Sequence, residues 1–322
     1  MSELTARRGR TVELDRLVVG LQRYGVYAAL LVLLVYDVLT LDRFATMSNV
    51  RVQLDQAVPI LVIALGMALV IGTEGIDLSV GAVVALSSAF VPLYLGYGAG
   101  FSIVAALVAG AVTGVLAGLM VAVVNVQPIV ATLSLMIGVR GIAVILNGAS
   151  AKQVIDPTIL GLGSDQILDI PKMAWIALVL ALVVGFVVRY TRFGRQLVAI
   201  GDNRRASQLA GLPVKRVLVT VYVVSGVLAA LAGLLVTGYG AEADPSNYGL
   251  NFELSAITAV VVGGTPLSGG RIRVLGTVAG ALFMQLVTAT LVQNNVATSY
   301  AQMVEAAIIC VAVYLARGKA AR

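Results

Sequence analysis

From Tyr24 to Ala316 the sequence is a succession of apolar blocks, most of them long enough to cross a hydrocarbon core about 30 Å thick at 1.5 Å per helical residue. Of the 322 residues, 59% are hydrophobic and only 12% are charged. A soluble domain carries a charged fraction of about 25%, so the reading is an all-α polytopic membrane protein. The blocks fall at residues 24–41, 57–73, 82–95, 101–124, 129–146, 173–188, 217–237, 254–264, 274–292 and 300–316. They predict about ten transmembrane crossings. Residues 254–264 are too few to span alone, which predicts a tilted, neighbour-extended or partly re-entrant segment.

Alternating the blocks across the membrane places 17 of the 22 Lys and Arg residues on one side, four on the other, and Arg140 within a span. Lys and Arg in short loops mark the cytoplasmic face, so both termini are expected there, in a cell (inner or plasma) membrane. The expected divisions are an N-terminal tail at residues 1–23, a membrane domain at 24–316 and a short tail at 317–322. Residues 42–56 are polar with balanced charge and are placed outside. So are residues 147–172, and residues 238–253 with Glu242, Asp244, Glu253 and no base. Residues 1–23 lead into the first apolar run without a small-residue cleavage pattern, so no cleavable signal is expected.

The longest basic stretch between apolar blocks is Arg189 to Arg216, RYTRFGRQLVAIGDNRRASQLAGLPVKR. Seven bases against Asp202 give it a net +6, the formal net charge of the whole protein. The basic surplus sits in loops beside spans and is not a nucleic-acid footprint. Within the stretch, Asp202 and Asn203 are good helix starters, and Gly211 with Pro213 is a plausible stop, predicting a helix of about eight or nine residues. At helical spacing Ala206, Leu209 and Ala210 share one face while Arg204, Arg205, Ser207 and Gln208 take the other. Such a helix suits a membrane surface or a partner's groove; the alternative is a solvated loop that obeys the charge bias.

Two glycine-flanked breaks interrupt the apolar blocks: GIDLSVG, with Gly75, Asp77, Ser79 and Gly81, and GGTPLSGG, with Gly263, Gly264, Gly269 and Gly270. They hint at a weak internal repeat. An acid inside a membrane block is a functional candidate by default, yet Asp77 or Ser79 can also cap the helix that begins near Val80; both readings stand, with capping preferred. Arg140 is expected to pair with a carbonyl or an acid in the bundle interior. Gly110, Gly114 and Gly118, and later Gly276 and Gly280, are spaced for close packing of helices within the chain. Hydroxyl and amide side chains suited to a polar passage include Asn125, Gln127, Thr132, Ser134, Asn147, Tyr239, Asn247 and Gln285.

There is no histidine and the single cysteine is Cys310. That removes the commonest proton shuttle and any disulfide framework, and leaves no nucleophile and base pair for an intramembrane enzyme. No GxxxxGK[ST] sequence is present, so nucleotide is not expected to bind this chain directly.

Four ordered stretches together resemble the sugar-importer branch of ATP-binding-cassette permeases, of the ribose, xylose, galactofuranose and autoinducer-2 type. They are GMALVIGTEGIDLSVGAVVALS from Gly66, VQPIVATLSLMIGVRGIA from Val126, GRQLVAIGDNRRASQLAGLPV from Gly194 and ELSAITAVVVGGTPLSGGRIRVLGTVAGAL from Glu253. The likeness covers residues 57–316. It implies a ten-helix core like that of vitamin B12 importers, paired with a second permease chain as a homodimer or paralogous heterodimer. It further implies a cytoplasmic ATPase carrying ATP and Mg, a soluble sugar-binding protein outside, and no cofactor on this chain. On the resemblance, Asp202, Asn203, Arg204, Arg205, Ala206, Leu209, Ala210 and Gly211 form the ATPase-coupling helix within residues 189–216. Glu74 departs from the pattern, where relatives generally carry glycine or another small residue. Other readings are a secondary transporter with Glu74, Asp77, Arg140 and Glu305 as an ion relay, and a permease for a nucleoside or branched-chain amino acid.

Overall fold

A computed structural model of the chain describes residues 24–41 and 44–317. The expected tails at 1–23 and 317–322 therefore lie outside the described residues, except for Arg317. The described chain is almost wholly helical. Seven helical segments among the described residues are long and apolar enough to cross a membrane. They are α2 (Met47–Gly72), α3 (Val80–Tyr94) with the short 3-10 turn Leu95–Tyr97, α4 (Ala99–Ala122), α5 (Pro128–Asn147), α7 (Lys172–Tyr190), α10 (Val214–Gly240) and α12 (Val274–Gln293). Two shorter apolar helices join them, α1 (Tyr24–Thr40) and α11 (Phe252–Val262), and a twenty-residue helix, α13 (Thr298–Arg317), closes the described chain.

The sequence places residues 42–56 outside as a polar segment; instead α2 begins at Met47, started by the Thr46 side chain accepting from the Asn49 amide. Its 26 residues make it about 39 Å long, more than a hydrocarbon core requires. The polar residues from Asn49 to Gln56 are thus part of the first turns of a continuous helix. The hydropathy blocks missed this because amides on one side, with Arg51 and Asp55 on the other, lower the average without breaking the helix.

Helix α2 is the centre of the bundle. In its apolar stretch 78% of residues are buried, against 17–33% for α4, α5 and α7, which turn apolar faces outward; of these α7 packs on α2, while α4 packs on α10 and α3, and α5 on α3. Val62, Ile63, Leu65, Met67 and Ile71 are fully enclosed by α10, α11, α12 and α7. The tightest seam lies between α4 and α10. A Cβ on Gly110 would strike the Gly226 carbonyl, one on Gly114 the Tyr222 carbonyl, and one on Gly118 the Val219 backbone. The same relation joins α11 and α12, where Gly263 backs onto Gly276 and Gly280 onto Ala259. Close packing of this kind supplies dispersion contacts where lipid offers no hydrophobic drive.

Short strands tie down the connections between α5 and α7 and between α10 and α11. β1 (Lys152–Gln153) pairs antiparallel with β4 (Glu242–Ala243), Lys152 opposite Ala243. β2 (Gln166–Ile167) pairs with β3 (Ile170–Pro171) across a two-residue turn, Leu168 and Asp169, both at positive φ. Asp169 holds Arg51 of α2 at 3.0 Å. The short helix α6 (Pro157–Gly163) lies against α10, Gly163 meeting Gly238.

A side chain forced into the α4–α10 seam must push two backbones apart, at a cost of about 1–3 kcal/mol. Gly114→Leu is therefore expected to lower the unfolding temperature in detergent by several degrees. Gly185→Ala on α7, whose Cβ would make only an ordinary contact with Val274, is expected to leave it unchanged or raise it slightly.

Candidate functional site

Three groups of predicted residues occupy three levels of the bundle. At the level of the first break, α2 ends at Gly72 and the chain turns through Thr73 to Ser79 before α3 starts. Asp77 is buried at 1% exposure. One carboxylate oxygen accepts from the Ser79 amide at 3.1 Å and the Ser79 hydroxyl at 2.6 Å; the other accepts from the Ser225 hydroxyl of α10 at 2.9 Å. The acid thus folds the turn on itself and fastens it to α10, and a buried carboxylate needs such donors to be tolerated. The Thr132 hydroxyl of α5 reaches the Ile76 carbonyl of the same turn at 3.3 Å. Gly75 sits under the Tyr222 hydroxyl, where a Cβ would be crowded at 2.8 Å.

Glu74 adopts φ 63 and its side chain is exposed. That backbone region is strained for a residue with a Cβ and natural for glycine, which accounts for the small residue the resemblance leads one to expect there.

The second level is the connection from α10 to α11. With 11 residues, α11 is only about 16 Å long and covers roughly half a span. Its start lies beside the start of α3: Gly249 is pressed against Gly81 and Val84, and Glu253 lies next to Gly81. Irregular backbone at this depth must be satisfied inside the protein. Arg140, midway along α5, does so by donating to the carbonyls of Pro245 at 3.3 Å, Tyr248 at 3.3 Å and Gly249 at 3.0 Å. Residues 254–264 accordingly lie in a half-helix whose crossing is completed by the loop that precedes it, the neighbour-extended form of the three that the sequence allows.

The third level is the end of the bundle that carries the basic segment between α7 and α10. Thr191 ends α7 and caps α8 (Arg192–Asp202), its hydroxyl accepting from the Gly194 amide at 3.2 Å. α8 turns Leu197 and Ile200 inward and Arg192, Arg195 and Asp202 outward. Asn203 makes the corner and caps α9 (Arg204–Leu209), accepting from the Ala206 amide at 2.9 Å. Gly211, at φ 78, closes α9 as the Leu212 amide reaches the Ser207 carbonyl. The expected helix of eight or nine residues is thus six long, preceded by an amphipathic helix that the sequence reading did not separate from the loop. Phe193, Leu197 and Ile200 at i, i+4 and i+7 after a capping Thr191 were its signal.

The expected faces of α9 also need correction. Ser207, grouped with the basic face, is the residue that points inward: it is buried and its hydroxyl donates to the Ala199 carbonyl of α8 at 3.0 Å. Ala206, Leu209 and Ala210 face outward with Arg205 and Gln208, and Leu209 is 84% exposed.

α8 meets both breaks at a contact of glycines. Gly201 rests directly on the Gly72 carbonyl and the Gly270 amide, and that amide donates to the Gly72 carbonyl at 3.1 Å. Gly269 and Gly270 both have φ 73; a Cβ on the first would crowd Glu74, and on the second Asp202. The structure therefore brings together Asp202, Gly269 and Gly270 with the end of α2. Gly263 and Gly264 belong elsewhere, Gly263 in the α11–α12 seam and Gly264 at φ 86 in the turn that follows α11.

The remaining polar candidates are scattered. Asn125 bonds the Val123 carbonyl in the inner turn and Gln127 precedes α5. Ser134 bonds the Ala131 carbonyl, Asn147 the carbonyls of Ser150 and Ala243, and Asn247 the Asp244 carboxylate. Tyr239 is exposed near the outer end of α10. Gln285 alone joins a cluster of other amides, on Gln53 and Gln56. Glu74, Asp77, Arg140 and Glu305 share no hydrogen bond or ion pair with one another among the described residues; Glu305 accepts from Thr288 at 2.8 Å. No continuous relay joins them.

A family profile described as branched-chain amino acid transport system / permease component matches residues 53–313. The chain is 36% identical over 263 residues to the galactofuranose transporter permease protein of Escherichia coli (strain K12), covering 81% of this chain and 77% of that protein. It is 38% identical over 313 residues to the ribose import permease protein of Bacillus subtilis (strain 168), covering 94% of each. With the fructose import permease protein of Bifidobacterium longum (strain NCC 2705) it shares 36% identity over 268 residues, 80% of this chain and 75% of that one. No solved structure matches the chain.

The backbone at Glu74 and Gly269 sets opposite expectations for two small substitutions. Glu74→Gly relieves a left-handed residue worth about 1 kcal/mol and should leave thermal stability unchanged or higher. Gly269→Ala adds strain and a clash, and should lower it; equal stability of the two variants contradicts the geometry described.

Proposed function

The chain belongs to the branched-chain amino acid transport system / permease component family, and on that premise we propose that it is the membrane-embedded subunit of an ATP-driven sugar importer. It is a transport component rather than a catalyst. The cargo class follows the relatives, whose names specify ribose, galactofuranose and fructose. The protein is a multi-pass component of the inner membrane, and we place both termini and the α8–α9 arm in the cytoplasm, as the distribution of Lys and Arg favours. We count α1, α11 and α13 with the seven longer segments as a ten-helix core of the vitamin B12 importer kind. The other subunits in this reading are a cytoplasmic ATPase that carries ATP and Mg, a sugar-binding protein outside, and a second permease chain.

The observation that carries the reading is the outward apolar face of α9, with Leu209 84% exposed beside Arg205. A leucine so placed, in the most basic loop of the chain, suits a cleft on a partner protein. Behind it lies a continuous mechanical path. The Ser207 bond fixes α9 to α8, and Gly201 of α8 bears on Gly72 and Gly270 with no side chain between the backbones. A displacement of α9 is passed as a rigid-body shift to the end of α2 and to the segment linking α11 and α12. An open surface groove bordered by Val188, Arg195, Val198 and Asp202 lies beside α8.

Leu209→Asp places a charge where the partner cleft must be apolar, a change that at an interface anchor costs about 2 kcal/mol or more. In the reconstituted importer, binding-protein-stimulated ATP hydrolysis and sugar uptake are expected to fall at least about tenfold. Leu168→Asp, equally exposed at 82% on the outer hairpin, is expected to leave ATPase assembly intact. Normal stimulated hydrolysis in Leu209→Asp contradicts the assignment of α9.

A further inference from the structure

On the outer half of α2, Asn49, Gln53 and Gln56 recur at i, i+4 and i+7 and lie on one face. Across from them α12 presents Gln285 and Gln293. Gln285 donates from its Nε2 to the side-chain oxygens of Gln53 at 3.0 Å and Gln56 at 2.8 Å. Gln293 donates to the Asn49 Oδ1 at 3.3 Å, which Gln53 also approaches at 3.5 Å. The result is a ladder of uncharged amides climbing the groove between two spans.

Its depth matters. Counting back from Gly72, about 30 Å of α2 reaches residue 52, so Gln53 and Gln56 fall within the thickness of a hydrocarbon core. Gln285 lies about 12 Å below the outer end of α12. Gln56 is nonetheless exposed, and Gln53 and Gln285 are only half-buried. Amide side chains open to lipid at that depth are costly, so this face meets water, cargo or protein.

The bonding pattern favours a polar cargo. Among the described residues both Nε2 hydrogens of Gln285 are used, which leaves its Oε1 free to accept and the Gln56 Nε2 free to donate. Adjacent unused donors and acceptors, uncharged and planar, match the paired hydroxyls of a sugar.

We propose that the amide ladder of Asn49, Gln53 and Gln56 with Gln285 and Gln293 lines the outer part of the route through this chain and hydrogen-bonds a polyhydroxyl cargo in transit. The inference rests on the transport reading above and adds residues to it. The geometry also gives the ladder its chemistry: along α2 each amide can pass a hydroxyl to the next, since Asn49, Gln53 and Gln56 are about one helical turn apart.

The test uses the importer assembled with its ATPase and binding protein, in a Cys310→Ser background. Single cysteines at Gln56 and Gln285 are treated with a charged, membrane-impermeant thiol reagent added from outside, beside Asn247→Cys in the outer loop and Leu182→Cys on the exposed face of α7. The expected result is labelling of both positions at a rate near that of Asn247→Cys, while Leu182→Cys is protected by lipid. Separately, Gln56→Leu with Gln285→Leu is expected to lower uptake of ribose or fructose per ATP hydrolysed by about tenfold, the effect of losing a hydrogen bond and orphaning its partner. Unlabelled cysteines at both positions overturn the proposal, and a disulfide between Gln56→Cys copies assigns the face to a contact between permease chains instead. Normal uptake by the leucine variant also overturns it while the transport reading stands. A wild-type assembly without stimulated ATP hydrolysis removes the transport reading itself.

Discussion

Backbone that leaves a helix inside a membrane must find every hydrogen-bond partner within the protein, and the arrangement of this chain follows from how it meets that demand. Its interior has two places where helices stop short. At the first, Asp77 gathers the amide and hydroxyl of Ser79 and the hydroxyl of Ser225, so a turn that would otherwise expose polar groups becomes the fastening between α3 and α10. At the second, the guanidinium of Arg140 covers three carbonyls of the loop that enters α11. The charges are the means by which irregular backbone is accommodated, and losing either would leave several buried groups unsatisfied at about 1–3 kcal/mol each.

Satisfying the breaks in this way also makes them stiff, and the end of α2 and the GGTPLSGG segment both touch α8. Gly72 ends the central helix, Gly270 closes the GGTPLSGG break, and Gly201 lies in the last turn of α8; the three meet backbone to backbone. Side chains between these elements would give a compliant joint, because rotamers can absorb a displacement. Direct backbone contact passes the displacement on. On the proposed coupling role of α9, the glycine content of the two breaks has a mechanical consequence as well as a conformational one, with the exposed Leu209 at the other end of the lever.

Much of this was legible in the sequence. The apolar blocks located the seven long spans, and Asn203 and Gly211 marked both ends of α9. The half-length of α11 was visible as a block too short to cross. What the sequence hid was amphipathic structure. The amides at 49, 53 and 56 read as an outer loop, although their i, i+4, i+7 spacing was a helix signal beside Ala57. α8 was hidden for the same reason, its Leu197 and Ile200 diluted by arginines. The inward turn of Ser207 could not be read at all, since a six-residue helix with small residues on several sides offers no decisive face, and only the nearby Ala199 carbonyl selects one. Nor does linear spacing bring Gly72, Gly201 and Gly270 together, which is a matter of tertiary packing.

The central claim, that α9 is the point where an external motor grips this chain, is tested most directly by proximity. A single cysteine at Leu209 in the assembled importer, with Cys310 replaced by serine, is treated with a short bifunctional thiol reagent against cysteines on the ATPase surface. The account predicts a cross-link to the ATPase whose yield changes when ATP is added. Modification of the same cysteine by an impermeant reagent from outside intact cells, with no cross-link to the ATPase, would contradict it.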